Sequence, residues 1–349
     1  MKCLVTGSSG LLGHCLVERL EDRGDTLQLV DIAAPEGLGH HRDHPLALCD
    51  VSEPAALDEL AAGVDVIYHL AAAQRMKPQF QWSEQRIYHA NIEAVRNVLG
   101  AAERCGVPKV VHVSSSGIYG IPRSVPVAED HVQAPLGSYG ESKIEAETLC
   151  REAVDRGLDV TALRPMTLFG PRMTGVFTIL FEWVRLGKPV FLLGSGRNRV
   201  QGSSAWDVAD ACIAAAHSPN ARGAVVNLGA APQDVPTVRE WTEQLIEHAG
   251  SRSPVICIPA VLLRNAARVL GAFGVSPIVP EHYKLADSDF VLDIRAAQAA
   301  LGWQPRYGNA RMLAQAYDWY VSLSEAEQPR QHPVVRVLNA AMPSFNRPS

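Results

Sequence analysis

The stretch TGSSGLLG, residues 6–13, decides the fold, because it closes a short apolar run and opens a helical one. KCLVTG (2–7) reads as a buried strand, and the apolar residues from Leu11 to Leu20 recur at helical spacing. Between them stand Gly7, Gly10 and Gly13. Gly7 permits a tight turn, Gly10 lets backbone approach a pyrophosphate, and Gly13 lets helix and strand pack closely. Ser9, Leu11 and Leu12 complete the loop and the first helical turn, whose free N–H groups and dipole favour an anion. A glycine triplet alone also fits a flexible turn. Here the next strand, LQLVDI (27–32), ends in Asp31, 18 residues after Gly13. A carboxylate at that point accepts hydrogen bonds from an adenosine ribose diol and repels a 2′-phosphate. The expected cofactor is therefore NAD.

Working outward, strands and helices alternate. A helix near 54–62 leads to the strand VDVIYHLAA (64–72). A helix near 88–105 leads to KVVHVSSS (109–116), and one near 139–156 leads to LDVTALRP (158–165). Strands separated by helices imply right-handed βαβ units in an α/β, Rossmann-type doubly wound parallel sheet. Residues 1–165 are expected to form the NAD-binding domain, with returns near 199–228 and 286–295, where AVVNLG (224–229) and FVLDIR (290–295) read as strands. Residues 166–324 are expected to form a smaller, discontinuous C-terminal substrate lobe. Residues 325–349, with four prolines, read as an extension or loosely packed tail. Asp50, after LALC (46–49), and Val51 beside it can reach the adenine edge, although Asp50 fits an exposed turn equally well. In HLAAA (69–73), Leu70, Ala71 and Ala72 offer small residues over which a dinucleotide can lie.

Bulk properties narrow the partners. The 349 residues are 47% hydrophobic and 20% charged, with a net charge of −5 and no long basic run, so nucleic acid is not expected. No apolar stretch is long enough to span a bilayer, and the N-terminus runs directly into a strand, so neither membrane insertion nor a signal peptide is expected. Seven scattered cysteines without a paired framework suit reduced thiols in the cytoplasm. HHRDH, with His40, His41 and His44, reads as a surface loop, and no metal is expected.

KVVHV delivers Ser114, Ser115 and Ser116 at a strand's carboxyl end, where open α/β sheets bind ligands. YGESK (139–143) follows on the next helix, placing Tyr139 and Lys143 one turn apart. An adjacent ammonium favours the phenolate of a tyrosine, and a serine hydroxyl can hydrogen-bond a developing carbonyl.

With these residues in hand, the sequence resembles the extended short-chain dehydrogenase/reductases of the NAD-dependent epimerase/dehydratase type. The resemblance is carried by TGSSGLLG, Asp31, HLAA, HAN with Asn91, VSSSGIYG, SYGESK, LRPMTLFGP, WDVADA and LGWQP, from residue 4 to about 308. It implies that Tyr139 is the general acid/base, Lys143 its activator and Ser115 the hydroxyl partner. It also implies that Asn91 supports the active-site helix and a water. Pro165 joins Tyr139 and Lys143 as an expected cofactor contact, and a homodimer through the helices near 88–105 and 139–156 is expected.

Departures from the family bear on the substrate. Family dehydratases carry Asp and Glu after the hydroxyl residue, whereas Ser116 and Gly117 stand here, so dehydration is not expected. The arginine that clamps a substrate diphosphate in nucleotide-sugar enzymes is replaced by Val200, with Arg199 one residue earlier. An asparagine usual between RP and GP is absent, leaving Met166 and Thr167. Arg172, Arg197, Arg199 and Lys284 are candidates to substitute as diphosphate ligands, and read equally as solvated loop charges. The favoured reading is epimerisation of a nucleotide-linked sugar through a transient ketone. The alternatives are net dehydrogenation of a sugar, steroid-like or hydroxyacyl alcohol, and a catalytically silent NAD-binding scaffold.

Overall fold

The computed structural model describes residues 1–34, 44–53, 57–73, 83–173, 175–259, 287–323 and 342–346. Each strand of the first half is an apolar run, as a sheet buried on both faces requires. They are β1 (Lys2–Thr6), β2 (Thr26–Asp31), β3 (Leu46–Leu48), β4 (Val66–His69), β5 (Lys109–Val113) and β6 (Asp159–Pro165). A later strand, β10 (Val225–Leu228), joins them, giving among the described residues a seven-stranded sheet in the order β10-β6-β5-β4-β1-β2-β3. Every neighbouring pair is parallel. The order reverses between β1 and β4, so a crevice opens at their carboxyl ends.

Helices cover both faces. One face carries α1 (Leu11–Asp22) and α6 (Ala205–His217), which share an apolar core with Val5, Tyr68, Val111 and Leu163. The other carries α2 (Leu57–Ala61), α3 (Glu84–Cys105) and α4 (Ser138–Asp155), packed on Leu4, Ile67, Val110 and Val160. Local chemistry sets the ends of α3. The Ser83 hydroxyl accepts from the Arg86 N–H, and Gly106 closes the helix at φ 66°, in the left-handed region that glycine tolerates.

Beyond Pro165 lie β7 (Thr167–Phe169), α5 (Val176–Arg185), β8 (Val190–Leu193), β9 (Gly202–Ser204), α7 (Val238–His248) and β11 (Val255–Ile258). Two further helices, α8 (Arg295–Leu301) and α9 (Asn309–Ser322), follow. A third core joins Phe181, Trp241, Leu313 and Tyr320. FVLDIR does not form the strand its composition predicts. Phe290 bridges Val200 and Leu292 bridges Val127, so the segment splits its hydrogen bonds between two partners. Of residues 325–349, the structure describes 342–346. Phe345 N–H donates to the Gly187 carbonyl at 2.7 Å, docking residues 342–346 beside the turn that ends α5. No helix among the described residues is long and apolar enough to cross a membrane.

One buried ion pair ties α4 to the sheet. Arg164 on β6 meets both oxygens of Glu147 on α4, at 2.8 and 2.6 Å, and both side chains are almost fully buried. Glu147 also accepts from Ser114 Oγ at 2.5 Å. Arg164 donates to Tyr119 Oη at 2.7 Å, and that hydroxyl donates to Asn227 Oδ1 at 2.8 Å. Breaking one partner of such a pair strands a buried charge and costs about 3–5 kcal/mol. Arg164→Met is therefore expected to lower unfolding free energy by about that amount in urea titrations, with Glu147→Leu/Arg164→Met recovering at least half of it. A double variant no more stable than the single one would show that the stranded charge is not the cause.

Candidate functional site

The glycine loop fits at the crevice because side chains are excluded there. Gly7 sits at φ 73°, and a Cβ on it would lie 2.7 Å from the Ala71 nitrogen. A Cβ on Gly13 would lie 2.6 Å from the Ser8 carbonyl oxygen and closer still to that of Gly7. The Gly7 and Ser8 N–H groups both donate to the Val30 carbonyl, which anchors the loop to β2. Gly10 begins α1 with no side-chain cap, so the first-turn N–H groups of Leu11, Leu12 and Gly13 face the loop as an anion site. At the end of β2, Asp31 Oδ2 accepts from the Ser9 N–H at 2.9 Å, fixing the carboxylate beside the loop. Leu70, Ala71 and Ala72 follow β4 across the crevice, with the Ala71 N–H on Thr6 Oγ1 at 3.4 Å. These residues fit an NAD dinucleotide: loop N–H groups for the pyrophosphate, a fixed carboxylate for the ribose, and small side chains beneath. Asp50 stands nearby, its carboxylate accepting from the Ser52 N–H and hydroxyl, and Val51 is buried.

The proton-handling groups converge through another glycine. Ser115 precedes a short 3-10 turn, Ser116–Tyr119, and its Oγ accepts from the Gly117 N–H at 3.1 Å. A Cβ on Gly117 would lie 3.3 Å from Ser115 Oγ and 3.9 Å from the Tyr139 ring. Ser115 and Tyr139 therefore flank the same small space. Gly140 allows this approach, because a Cβ there would come within 2.8 Å of the Gly117 carbonyl oxygen.

One turn along α4, the Lys143 ammonium lies 5.8 Å from the Tyr139 ring centroid and donates to the Val113 carbonyl at 2.8 Å. The side chain is only 3% exposed. Burial pushes its pKa down to about 8, against the opposing pull of Cys150 and Glu147. A cation held this way can favour the phenolate form of its neighbour. Asn91 on α3 braces the assembly from behind. Its Oδ1 accepts from the Ala73 N–H at 2.7 Å, and its Nδ2 donates to Ser142 Oγ at 3.0 Å. Ser142 in turn donates to the Tyr139 carbonyl at 2.8 Å, so Asn91 ties the segment after β4 to the helix bearing Tyr139.

Several expected substrate contacts are placed otherwise. Ser116 is buried, its hydroxyl on the Met166 sulfur at 3.1 Å, because the 3-10 turn rotates it off the Ser115 side. Arg199 does not offer a free guanidinium: Nε donates to the Val235 carbonyl at 2.8 Å and a terminal nitrogen to that of Pro232 at 2.7 Å. Val200 pairs with Phe290 through backbone, turning this stretch into a structural seam. Met166 is buried, Thr167 is exposed at the start of β7, and Arg172 occupies the left-handed region at φ 68°. Pro165 ends β6 beside Leu228 of β10. Lys284 lies outside the described residues, as do His40 and His41.

Sequence reasoning left Glu147 and Arg164 unassigned, although an acid four residues after Lys143 and an arginine within an apolar strand were readable as a pair. His69 and His112 are register partners on β4 and β5 and stack at 5.3 Å.

Residues 3–229 match the description of the NAD dependent epimerase/dehydratase family. The uncharacterized protein y4nG of Sinorhizobium fredii is 34% identical over 91% of this chain and 78% of its own length. A Mycobacterium tuberculosis 3 beta-hydroxysteroid dehydrogenase/Delta 5→4-isomerase is 27% identical over 93% of this chain and 91% of its own. Among solved structures, MoeE5 in complex with UDP-glucose and NAD is 27% identical, covering 93% of this chain and 100% of that one, with a TM-score of 0.74. The match takes in the glycine loop, the Ser115 turn and the Tyr139–Lys143 helix, so this chain belongs to the NAD dependent epimerase/dehydratase family and is an NAD-dependent enzyme of the extended short-chain dehydrogenase/reductase type.

Proposed function

We propose that the protein oxidises a secondary alcohol of a nucleotide-linked sugar to a ketone and returns the hydride to the opposite face, an epimerisation with NAD retained. The observation that carries the hydride-transfer step is the approach of Ser115 and Tyr139 to Gly117, with the Lys143 ammonium 5.8 Å from the Tyr139 ring centroid. NAD, when bound, accepts and returns the hydride. Tyr139 as phenolate takes the alcohol proton, the Lys143 ammonium holds that phenolate, and Ser115 Oγ donates to the developing carbonyl. Support for the nucleotide sugar comes from MoeE5, whose complex contains UDP-glucose.

A second reading has its own support. Val200 stands at the expected clamp and Arg199 already donates to two loop carbonyls, and a relative of similar coverage is a hydroxysteroid dehydrogenase. Net dehydrogenation of an alcohol lacking the nucleotide follows from that.

The assembly we propose is a homodimer through the outer faces of α3 and α4, where Arg96, Arg104 and Arg156 stand exposed around one groove. A cytoplasmic location suits its seven free thiols.

Incubation with a panel of nucleotide sugars, following NADH and product mass, separates these readings. An isomer of unchanged mass without net NADH is expected; stoichiometric NADH from an unlinked alcohol would replace epimerisation with dehydrogenation. Tyr139→Phe is expected to lower kcat by about 10²- to 10⁴-fold while NAD still binds. If no alcohol or ketone turns over and Tyr139→Phe equals the wild type, hydride transfer is wrong.

The pH dependence has a defined sign. Burial lowers the Lys143 pKa to about 8, so the ammonium persists below that pH and is lost above it. In pH-rate measurements kcat/KM is expected to fall above about pH 8. A rate still rising at pH 10 would remove Lys143 from the role given to it.

A further inference from the structure

His69 and His112 each show only 1% of their surface, and their rings stack at an interplanar angle of 27°. Both lie on the sheet face covered by α3 and α4, at the strand ends from which the Val113 carbonyl receives Lys143. Thr6 Oγ1 lies 2.7 Å from His69 Nδ1 and already accepts from the Ala71 N–H. A Thr6 hydroxyl that donates to His69 Nδ1 would put the ring hydrogen on Nε2. That Nε2 and both nitrogens of His112 are buried and have no hydrogen-bond partner among the described residues. Three orphaned imidazole nitrogens beside a buried ammonium are too costly to be simple packing.

Burial, with the Lys143 charge adding to it, pushes the His69 pKa down to about 3 and that of His112 well below its ordinary value. Both rings are therefore neutral at physiological pH, and His112 presents a lone pair. The Lys143 ammonium has three N–H groups, of which Val113 takes one. A single water hydrogen-bonded to Lys143, one nitrogen of His112 and His69 Nε2–H would satisfy two of the three orphaned nitrogens, since buried waters make two to four such bonds.

We propose that His69 and His112 are positioning residues for the hydride-transfer site, accepting a hydrogen bond from Lys143 through one buried water and so holding its ammonium in the charged form beside Tyr139. The catalytic meaning rests on the proposed function, but the Lys143 ionisation can be read without any substrate. Other groups acting on that ammonium are Tyr139, Glu147 and Cys150 on its own helix, with Arg164 of β6 behind Glu147. Asn91 of α3 adds no charge.

The test is lysine ¹³Cε NMR on the full chain with NAD added. The chain has six lysines, and the Lys143 signal is the one missing in Lys143→Arg. His112→Phe keeps the ring and removes its nitrogens. It is expected to lower the Lys143 midpoint by about one pH unit, tenfold in the equilibrium, while His112→Gln, which can still accept, restores most of the shift. An unmoved midpoint in a folded His112→Phe overturns the proposal, as does an equal shift in both variants. Should His112→Phe not fold, ¹⁵N spectra of the wild type decide: His69 must stay neutral with its hydrogen on Nε2 from pH 5 to 9. Protonation in that range, or the Nδ1–H tautomer, overturns it. A site that passes these tests yet turns over no alcohol would refute the proposed function alone.

Discussion

A lysine in the first two turns of a helix that packs on a sheet must either reach around the helix to water or find an acceptor inside. Lys143 does the second, meeting the Val113 carbonyl at the point where β5 ends and its ladder stops. Burying an ammonium is costly, and it is tolerated only where neighbours offer acceptors and compensating charge. The neighbourhood follows from that constraint. Val113 must end a strand, α4 must lie close enough for a four-carbon stem to span, and Gly140 must admit the Gly117 backbone. Glu147, one turn further on, brings a carboxylate that Arg164 neutralises. The active groups are thus set by a helix locked to the sheet at two buried charges.

The same economy governs the cofactor side. A parallel sheet brings all its strand ends to one edge, and the reversal of order between β1 and β4 leaves those two ends without a helix crossing between them. Gly7 and Ala71 face each other there at a separation that no side chain on residue 7 would allow. Fixed donors and a fixed carboxylate then line a space whose width the backbone sets. Such a site needs little rearrangement to receive an anion, because Ser9, Asp31 and Val30 already brace the loop.

Legibility in the sequence tracked how local the physics was. The glycine loop, Asp31 and the Tyr139–Lys143 pair were readable because backbone conformation and helical spacing determine them within a few residues. FVLDIR was misread because strand propensity cannot say whether one partner or two will accept the hydrogen bonds, and Phe290 and Leu292 take different ones. Arg199 looked like a ligand since a loop arginine is usually solvated. Only the fold brings the Pro232 and Val235 carbonyls to it. His69 and His112 lie 43 positions apart in the chain, and nothing in either segment announces their stacking.

The contrast between the two halves follows from how each is held. Around Tyr139 the neighbouring groups are held by close contacts to the sheet and its helices: Lys143 on the Val113 carbonyl, Ser115 on the Gly117 N–H and Asn91 on Ser142. Beyond Pro165 the polar side chains serve the backbone instead: Arg199 closes a loop, Asn309 holds the Val200 carbonyl and the Gly202 N–H, and Ser203 holds the Leu228 carbonyl. Polar groups engaged in this way are drawn away from a diphosphate, whereas Arg197 in the same loop stands exposed. Recognition of a diphosphate would then rest on such an exposed group, or the substrate would be one whose binding relies on shape and apolar contact. That division explains why the family's cofactor site is readable in this chain while its substrate is not dictated by the same residues.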